Sequence, residues 1–152
     1  MILILFSMRC ASFKSNELVD IDVQFEKAKI LLDKKKYLRA QEEFNDLVIR
    51  GTHSDLGDDS QFYLAESYFL NKEYLLAVAE YDRLIRRMGF SPYVEKSRWR
   101  VCQSYVKESP KYYKDQTNTQ KALSKLQEFI DDYPNSEFKE EANTQISELR
   151  NK

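Results

Sequence analysis

Glycine and proline are scarce in this sequence, and each occurs only three times among 152 residues. Tight hairpins, nucleotide-binding loops and phosphate-binding loops need glycine where φ is positive or where the backbone approaches a ligand closely. The shortage of glycine therefore argues against an all-β fold and against an α/β fold. We expect an all-α protein.

Histidine and cysteine are also rare. The chain has one histidine, His53, and two cysteines, Cys10 and Cys102, which do not have the spacing of a metal site. No signature of a serine hydrolase, a zinc protease, a phosphate-binding loop or an EF-hand occurs. The carboxylates lie in charged stretches such as 41–43 and 139–141, which are typical of solvated helix faces. We therefore expect no enzyme activity, no metal and no cofactor.

Charge of one sign is not in excess either. The sequence has 24 Lys and Arg against 25 Asp and Glu, for a formal net charge of -1. Non-specific binding to nucleic acid depends on a basic excess, so we expect no nucleic-acid partner. The 42% of hydrophobic residues argues against wholesale disorder, and the 32% of charged residues argues against a polytopic membrane protein.

The first residues of the chain resemble the end of a bacterial lipoprotein signal peptide. Five apolar residues, 2–6, precede Cys10, and polar residues follow it. The run is too short to span a bilayer, it lacks an early Lys or Arg, and Arg9 precedes the cysteine. Two explanations remain open: a leader that lacks its first residues, or a chance apolar leader before an ordinary cysteine. We assign 1–19 to a degenerate lipoprotein signal and tether.

A pattern of aromatic, small and large apolar residues then recurs at a step of 37 residues. The aromatic positions are Phe25, Phe62 and Trp99, the small positions are Ala28, Ala65 and Cys102, and the large apolar positions are Leu31, Tyr68 and Tyr105. Intervals of three and four residues are typical of one face of a helix. Small residues at a fixed position indicate where two helices cross closely. Cys102 is therefore predicted to be a core residue, and His53 a loop residue.

Each of these segments is followed by a second helical segment. Ala40, Phe44 and Leu47 match Ala77, Tyr81 and Leu84, and the third set, Ala122, Leu126 and Phe129, arrives eight residues late. This is the arrangement of the tetratricopeptide (TPR) repeat. The sequence thus predicts a TPR-type α-solenoid of three helical hairpins plus one trailing helix. The helices are expected near 20–34, 37–50, 58–71, 74–88, 92–108, 117–132 and 136–151.

We place the TPR-like domain at 20–152, with repeats at about 20–56, 57–93 and 94–135 and a partial fourth at 136–152. The chain resembles the BamD family of outer-membrane assembly lipoproteins, in its Bacteroidota-like form. The resemblance rests on the Cys-Ala-Ser-Phe-Lys-Ser segment at 10–15 and on the three hairpins. It also rests on the inserted segment 109–119 and on Phe-Ile-x-x-Tyr-Pro-Asn-Ser-Glu at 129–137, which leads to Glu-Leu-Arg at 148–150.

This resemblance implies a function that is not catalytic. It implies a lipid on Cys10, a position on the periplasmic face of the outer membrane, and membrane contact through that lipid anchor only. The implied partners are a BamA-like barrel-assembly subunit and unfolded outer-membrane protein precursors. The alternative is a soluble TPR adaptor that binds a peptide or a chain terminus.

TPR arrays bind peptides on the concave face formed by the first helix of each repeat. The candidate binding residues on that face are Phe25, Lys29, Phe62, Glu66, Phe69, Trp99 and Gln103. The three aromatics at one-repeat spacing have a second interpretation, in which they are buried core. Trp99 is the one we expect to be exposed, because arginines flank it. In the inserted segment, Tyr112 and Tyr113 either contact a partner or hold their own loop on the array.

The trailing helix is predicted to have an apolar face without a following helix to cover it. The residues of that face are Phe138, Ala142, Ile146 and Leu149. Members of the family continue past the equivalent of Lys152 with further repeats. We therefore expect that the chain is a fragment, or that a partner covers this face.

Overall fold

A computed structural model describes residues 20–51, 55–111 and 113–151, and in those residues it contains seven helices and no strand. The helices are α1 (Ile21–Asp33), α2 (Tyr37–Arg50), α3 (Gly57–Leu70), α4 (Tyr74–Arg87), α5 (Val94–Glu108), α6 (Thr117–Asp132) and α7 (Lys139–Arg150). They pack consecutively as three hairpins and a trailing helix. The predicted all-α, TPR-type solenoid is confirmed.

Small residues allow the helices to cross closely. Ala28, Ala65 and Cys102 of the first helices are at most 1% exposed, as expected from their positions in the pattern. Large side chains of the second helices, such as Phe44 and Tyr81, are fully buried beside them. Each core also includes a residue of the following first helix, such as Leu64 for the first hairpin and Val101 for the second, so the cores form as the hairpins stack.

Helices α5 and α7 begin two and three residues later than predicted. The hydroxyl of Ser91 accepts a hydrogen bond from the backbone N–H of Tyr93 at 3.2 Å, and Ser136 accepts one from Phe138 at 3.2 Å. A serine that bonds two residues ahead holds the chain in a turn before the helix begins. The lead-in to α5 therefore has the same structure as the lead-in to α7.

The helix hairpins give the array two distinct ends. Gln41, at the start of α2, donates to the carboxylate of Glu73 at 2.7 Å, so the turns 34–36 and 71–73 lie at one end. Ser91 donates to the carboxylate of Asp58 at 2.7 Å, so the loop 88–93 lies at the other end with the start of α3. We call the first the turn end and the second the loop end.

The trailing helix corrects one prediction. Ala142, Ile146 and Leu149 are no more than 6% exposed, because they share a core cluster with Cys102 of α5 and Leu126 of α6. The expectation that this apolar face lacks a cover is wrong. As the first helix of the next repeat, α7 turns this face toward the preceding hairpin.

Candidate partner-binding face

The structure places seven of the predicted binding residues on three first helices. Phe25 and Lys29 lie on α1, Phe62, Glu66 and Phe69 on α3, and Trp99 and Gln103 on α5. Tyr113 lies in the inserted loop between α5 and α6. The predictions for Cys10 and Tyr112 fall outside the described residues, as does the prediction for His53.

The three aromatics at one-repeat spacing are buried. Phe62 stacks on Tyr93, with ring centroids 4.4 Å apart, and Trp99 stacks on Phe138 at 5.4 Å. Trp99 is only 3% exposed, so the expectation that it would be exposed is wrong. Phe138, just before the next first helix, covers the Trp99 ring, although arginines flank Trp99 in sequence. A role for these rings in binding stays a prediction, and other side chains form the surface of the face.

The polar residues one turn further along each first helix reach across to the next first helix. The Lys29 ammonium lies 3.7 Å from the centroid of the Tyr63 ring. Glu66 forms a salt bridge with Arg100 of α5. Gln103 donates to a carboxylate oxygen of Glu141 on α7, at 3.4 Å. This column of side chains therefore connects α1 to α3, α3 to α5 and α5 to α7.

The centre of the face is a cluster around Glu66. The Arg100 Nε and Nη2 atoms donate to the two carboxylate oxygens of Glu66 at 2.7 and 3.0 Å, which is a bidentate pair. The hydroxyl of Tyr81 donates to the same carboxylate at 2.5 Å. Burial, and then the Glu66 charge, raise the pKa of Tyr81 well above its usual value, so this hydroxyl stays a donor.

The outer part of the same cluster is aromatic and polar. The Arg100 guanidinium lies 4.5 Å from the centroid of the Phe69 ring, and its Nη1 donates to the Gln103 side-chain oxygen at 2.8 Å. The Arg100 side chain is 23% exposed and that of Glu66 is 11% exposed. We call Glu66, Phe69, Tyr81, Arg100 and Gln103 the ion-pair cluster.

Polar residues that precede the buried aromatics connect the two helices of each hairpin. The bonds join Gln24 to Glu43 at 3.2 Å, Gln61 to Glu80 at 2.8 Å and Arg98 to Asp132 at 2.9 Å. Gln24 and Gln61 are no more than 5% exposed, so these amides need partners. The bonds hold each first helix at a fixed rotation, and that rotation positions the side chains of the face.

Sequence reasoning missed Tyr63 and Arg100. They occupy equivalent positions 37 residues apart, and each contacts the residue 34 positions before it, Lys29 and Glu66. The repeat step was thus sufficient to pair their positions. The contacts themselves could not be predicted, because an aromatic ring at one of these positions and a guanidinium at the other do not form a recurring residue pattern.

The inserted loop is held by polar contacts around Gln116. Its side-chain nitrogen donates to the backbone oxygens of Lys111 and Lys114, both at 2.9 Å. Asp115 accepts a hydrogen bond from the backbone N–H of Thr117 at the start of α6. Tyr113 is 64% exposed, and its two proposed roles remain open.

Cys102 is confirmed as a core residue. It is 1% exposed, and burial raises the pKa of its thiol to about 12. Among the residues that the structure describes, no group of His, Cys, Asp or Glu is arranged to hold a metal ion. In the same part of the chain, none of the helices is sufficiently long and apolar to cross a membrane.

A comparison with protein families supplies the remaining observation. The model of the YfiO family, described as an outer membrane lipoprotein, matches residues 20–152. No curated protein matches the chain. The matched region includes all the described helices and the whole ion-pair cluster. Because the match covers most of the sequence, the chain belongs to the YfiO family of outer membrane lipoproteins.

Proposed function

We propose that the chain is a non-catalytic scaffold of the machinery that assembles β-barrel proteins in the outer membrane. A lipid on Cys10 holds it on the periplasmic face, where it binds a BamA-like subunit and unfolded barrel precursors. Membership of the YfiO family supports the association with the outer membrane. The resemblance to the BamD family, in its Bacteroidota-like form, supports the role in assembly.

The observation that carries the proposal is the ion-pair cluster on the first helices. An unfolded strand of a membrane barrel alternates apolar and polar side chains. The cluster offers the matching chemistry, since the Phe69 ring lies against Arg100 while Gln103 and Glu66 supply polar atoms. An extended precursor segment can therefore place apolar side chains near Phe69 and its backbone amides near Gln103.

The face is also rigid. The bidentate pair fixes Arg100 against Glu66, and the bonds of Gln24 and Gln61 fix the first helices against the second helices. A surface that is ordered before binding loses less conformational entropy when a flexible chain binds to it. This property lowers the cost of binding a flexible precursor segment.

The same contacts disfavour the alternative of a soluble adaptor that captures a chain terminus. Such an adaptor needs cations that are free to hold a terminal carboxylate. On this face Arg100 is already paired with Glu66, and the Lys29 ammonium lies over the Tyr63 ring. The face thus favours an extended segment over a chain terminus.

Site-specific photo-crosslinking tests this proposal. A benzophenone side chain at Gln103 or at Phe69 is expected to crosslink to an unfolded barrel precursor, because both residues belong to the ion-pair cluster. The matched control is Gln127, an exposed residue on α6. The measurement is the yield of crosslinked precursor at each position, with circular dichroism as the check on folding.

The proposal predicts strong crosslinks at Phe69 and Gln103, weak crosslinks at Gln127, and none with a barrel protein that is already folded. Equal yields at all three positions would mean that precursors do not use this face. A complete absence of crosslinks at Phe69 and Gln103 would contradict precursor binding directly.

A further inference from the structure

Lysines are concentrated at the turn end of the array. The hairpin turns 34–36 and 71–73, with the described residues 109–111 and 113–116 of the third connection, contain the exposed residues Lys34, Lys35, Lys36, Lys72, Lys111 and Lys114. The same turns contain two acidic residues, Glu73 and Asp115. Glu73 accepts hydrogen bonds from Gln41 and Asn71, and Asp115 accepts them from Thr117. Asp33 and Glu108 end the helices that lead into two of these turns. With them counted, six lysines face four carboxylates, so the turn end is net positive although the whole chain has a net charge of -1.

The loop end has the opposite character. Every first helix has acidic residues in its first turn, namely Asp22, Asp58, Asp59, Glu95, Glu140 and Glu141. The second helices end at this end of the array, and the last turns of α2 and α4 contribute Arg50, Arg86 and Arg87. The first turns of the second helices, at the turn end, contain no acidic residue. The two ends of the array thus differ in charge, and only the turn end complements an anionic surface.

Two of the lysines occupy backbone positions that favour glycine. Lys35 has a φ of 57° and Lys72 a φ of 66°, and they are equivalent residues one repeat apart. The left-handed region is strained for residues with a Cβ atom, and strain that persists in a structure points to function. Glycine would adopt this turn conformation with less strain, so the turn itself does not require lysine at either position.

Exposed leucines accompany these lysines. Leu38 is 63% exposed and Leu75 is 50% exposed, and they occupy equivalent positions in the first turns of α2 and α4. Leucine beside lysine is the combination found on surfaces that lie in a membrane interface, where apolar side chains enter the headgroup region and ammonium groups meet phosphates.

We propose that the turn end of the array lies against an anionic lipid surface. Its lysines contact the phosphates, and Leu38 and Leu75 enter the interface. This inference rests on the proposed function, since the lipid on Cys10 is what brings the array to a membrane, and it adds a second membrane contact to that anchor.

The length of the tether permits this orientation. The ten residues from Cys10 to Asp20 span at most about 35 Å when extended. Helix α1 starts at the loop end and is about 20 Å long, from its 13 residues. The tether therefore exceeds the length of the array along its helices, and the anchor and the turn end can reach the same membrane.

Vesicle binding by the full chain with Cys10→Ser tests the inference, because this protein carries no lipid. The vesicles contain phosphatidylethanolamine with either anionic phosphatidylglycerol or zwitterionic phosphatidylcholine. The key variant adds Lys35→Gly and Lys72→Gly, which remove two charges from positions where glycine relieves backbone strain. Affinity for the anionic vesicles is expected to fall about five-fold per lysine, or about twenty-five-fold for the pair. High salt should abolish binding.

The matched control is Arg86→Gln with Arg87→Gln, which removes two charges from the loop end and should leave binding unchanged. The apolar residues 2–6 are present in every variant, so their contribution cancels. Equal losses in the two pairs of variants, or equal binding to both kinds of vesicle, would overturn the inference. No binding to anionic vesicles at low salt would overturn it as well, and would leave an acidic protein as the occupant of the turn end. The mass of Cys10 in the native protein tests the proposed function separately.

Discussion

At the scale of the residue, Glu66 connects more of the array than any other member of the ion-pair cluster. Its carboxylate lies on α3, accepts a hydrogen bond from Tyr81 of α4, and pairs with Arg100 of α5. A charge with little access to water is stable only when its partners are in place. Glu66 was predicted from the sequence as a surface contact for a peptide, and the structure gives it a role in stability as well.

Replacing Arg100 with methionine should destabilise the protein. Arg100→Met keeps the length of the side chain but leaves the Glu66 carboxylate without a cation. Because both side chains retain some exposure to water, we expect a loss of about 1–3 kcal/mol in the free energy of unfolding, less than for a fully buried pair. Urea denaturation, followed by circular dichroism, measures this change.

A second variant shows whether the pair is the cause. Adding Glu66→Gln to Arg100→Met removes the unpaired charge and should recover part of the lost stability. If Arg100→Met alone has no effect, the pair behaves as an exposed surface salt bridge and does not hold α3 against α5.

Cys102 predicts a dependence of stability on alkaline pH. Its thiol has a pKa of about 12 in the folded protein, against 9.0 for the ordinary value. Between these pH values the unfolded chain loses a proton that the folded protein keeps, so the stability that is present below pH 9 falls as the pH rises. The expected slope from this group is about 1.4 kcal/mol per pH unit.

The comparison that isolates this effect is with Cys102→Ala. The unfolding free energy of the native protein should fall more steeply between pH 9 and 11 than that of the variant, since other titrating groups such as Tyr81 contribute equally to both. Parallel curves would show that the thiol titrates normally in the folded state. The core position of Cys102 was predictable from its repeat position, whereas its pKa depends on the surrounding burial.

At the scale of the element, an aromatic pair joins the second and the third hairpin to the next first helix. Phe62 stacks on Tyr93 before α5, and Trp99 stacks on Phe138 before α7. The step of 37 residues predicted that Phe62 and Trp99 are equivalent. It did not relate Tyr93 to Phe138, because the eight-residue insertion separates them by 45 residues.

Removing the cover should expose the tryptophan. Trp99 is the single tryptophan of the chain, so its fluorescence reports this contact directly. Phe138→Ala is expected to shift the Trp99 emission to longer wavelength and to reduce the unfolding free energy by about 2–3 kcal/mol, through the lost stacking and burial.

The equivalent change one repeat earlier is the control. Tyr93→Ala should also destabilise the protein, but it uncovers Phe62 and leaves the native emission of Trp99 in place. An unshifted emission in Phe138→Ala would mean that other residues keep Trp99 from water.

The elements also show why two sequence expectations failed. The arginines that flank Trp99 in sequence do not determine its exposure. Its exposure depends on Phe138, which lies 39 residues later and stacks on its ring. The apolar face of α7 was expected to be uncovered because no following helix was predicted, but a first helix also packs on the hairpin before it. Periodicity predicted which apolar residues share one face of a helix. It did not specify which neighbouring element covers that face.

At the scale of the whole molecule, the repeat pattern was sufficient to predict the fold. The positions of small and large residues specify hairpins, and consecutive hairpins can bury their cores only by stacking. The ion-pair cluster was not predictable to the same degree. Glu66 and Gln103 lie on first helices, as predicted, while their role in binding stays a prediction. Arg100 and Tyr81 meet Glu66 only because of how three helices are rotated.

The charge difference between the two ends is likewise a property of the array. The lysines of the turns are far apart in sequence, and alternating helix direction brings them to one end. A net charge of -1 conceals this distribution. The uneven charge distribution places the two proposed functions on different surfaces, with precursors on the first helices and lipid at the turn end.

The most direct test of the account is the mass and location of Cys10 when the full native gene is expressed in a bacterial host. We predict that Cys10 is the acylated first residue of the mature protein and that the protein stays in the outer membrane after a high-salt wash. The Cys10→Ser control should be released by that wash. An unmodified Cys10, with native and control proteins equally soluble, would contradict the central claim of a lipid-anchored assembly scaffold.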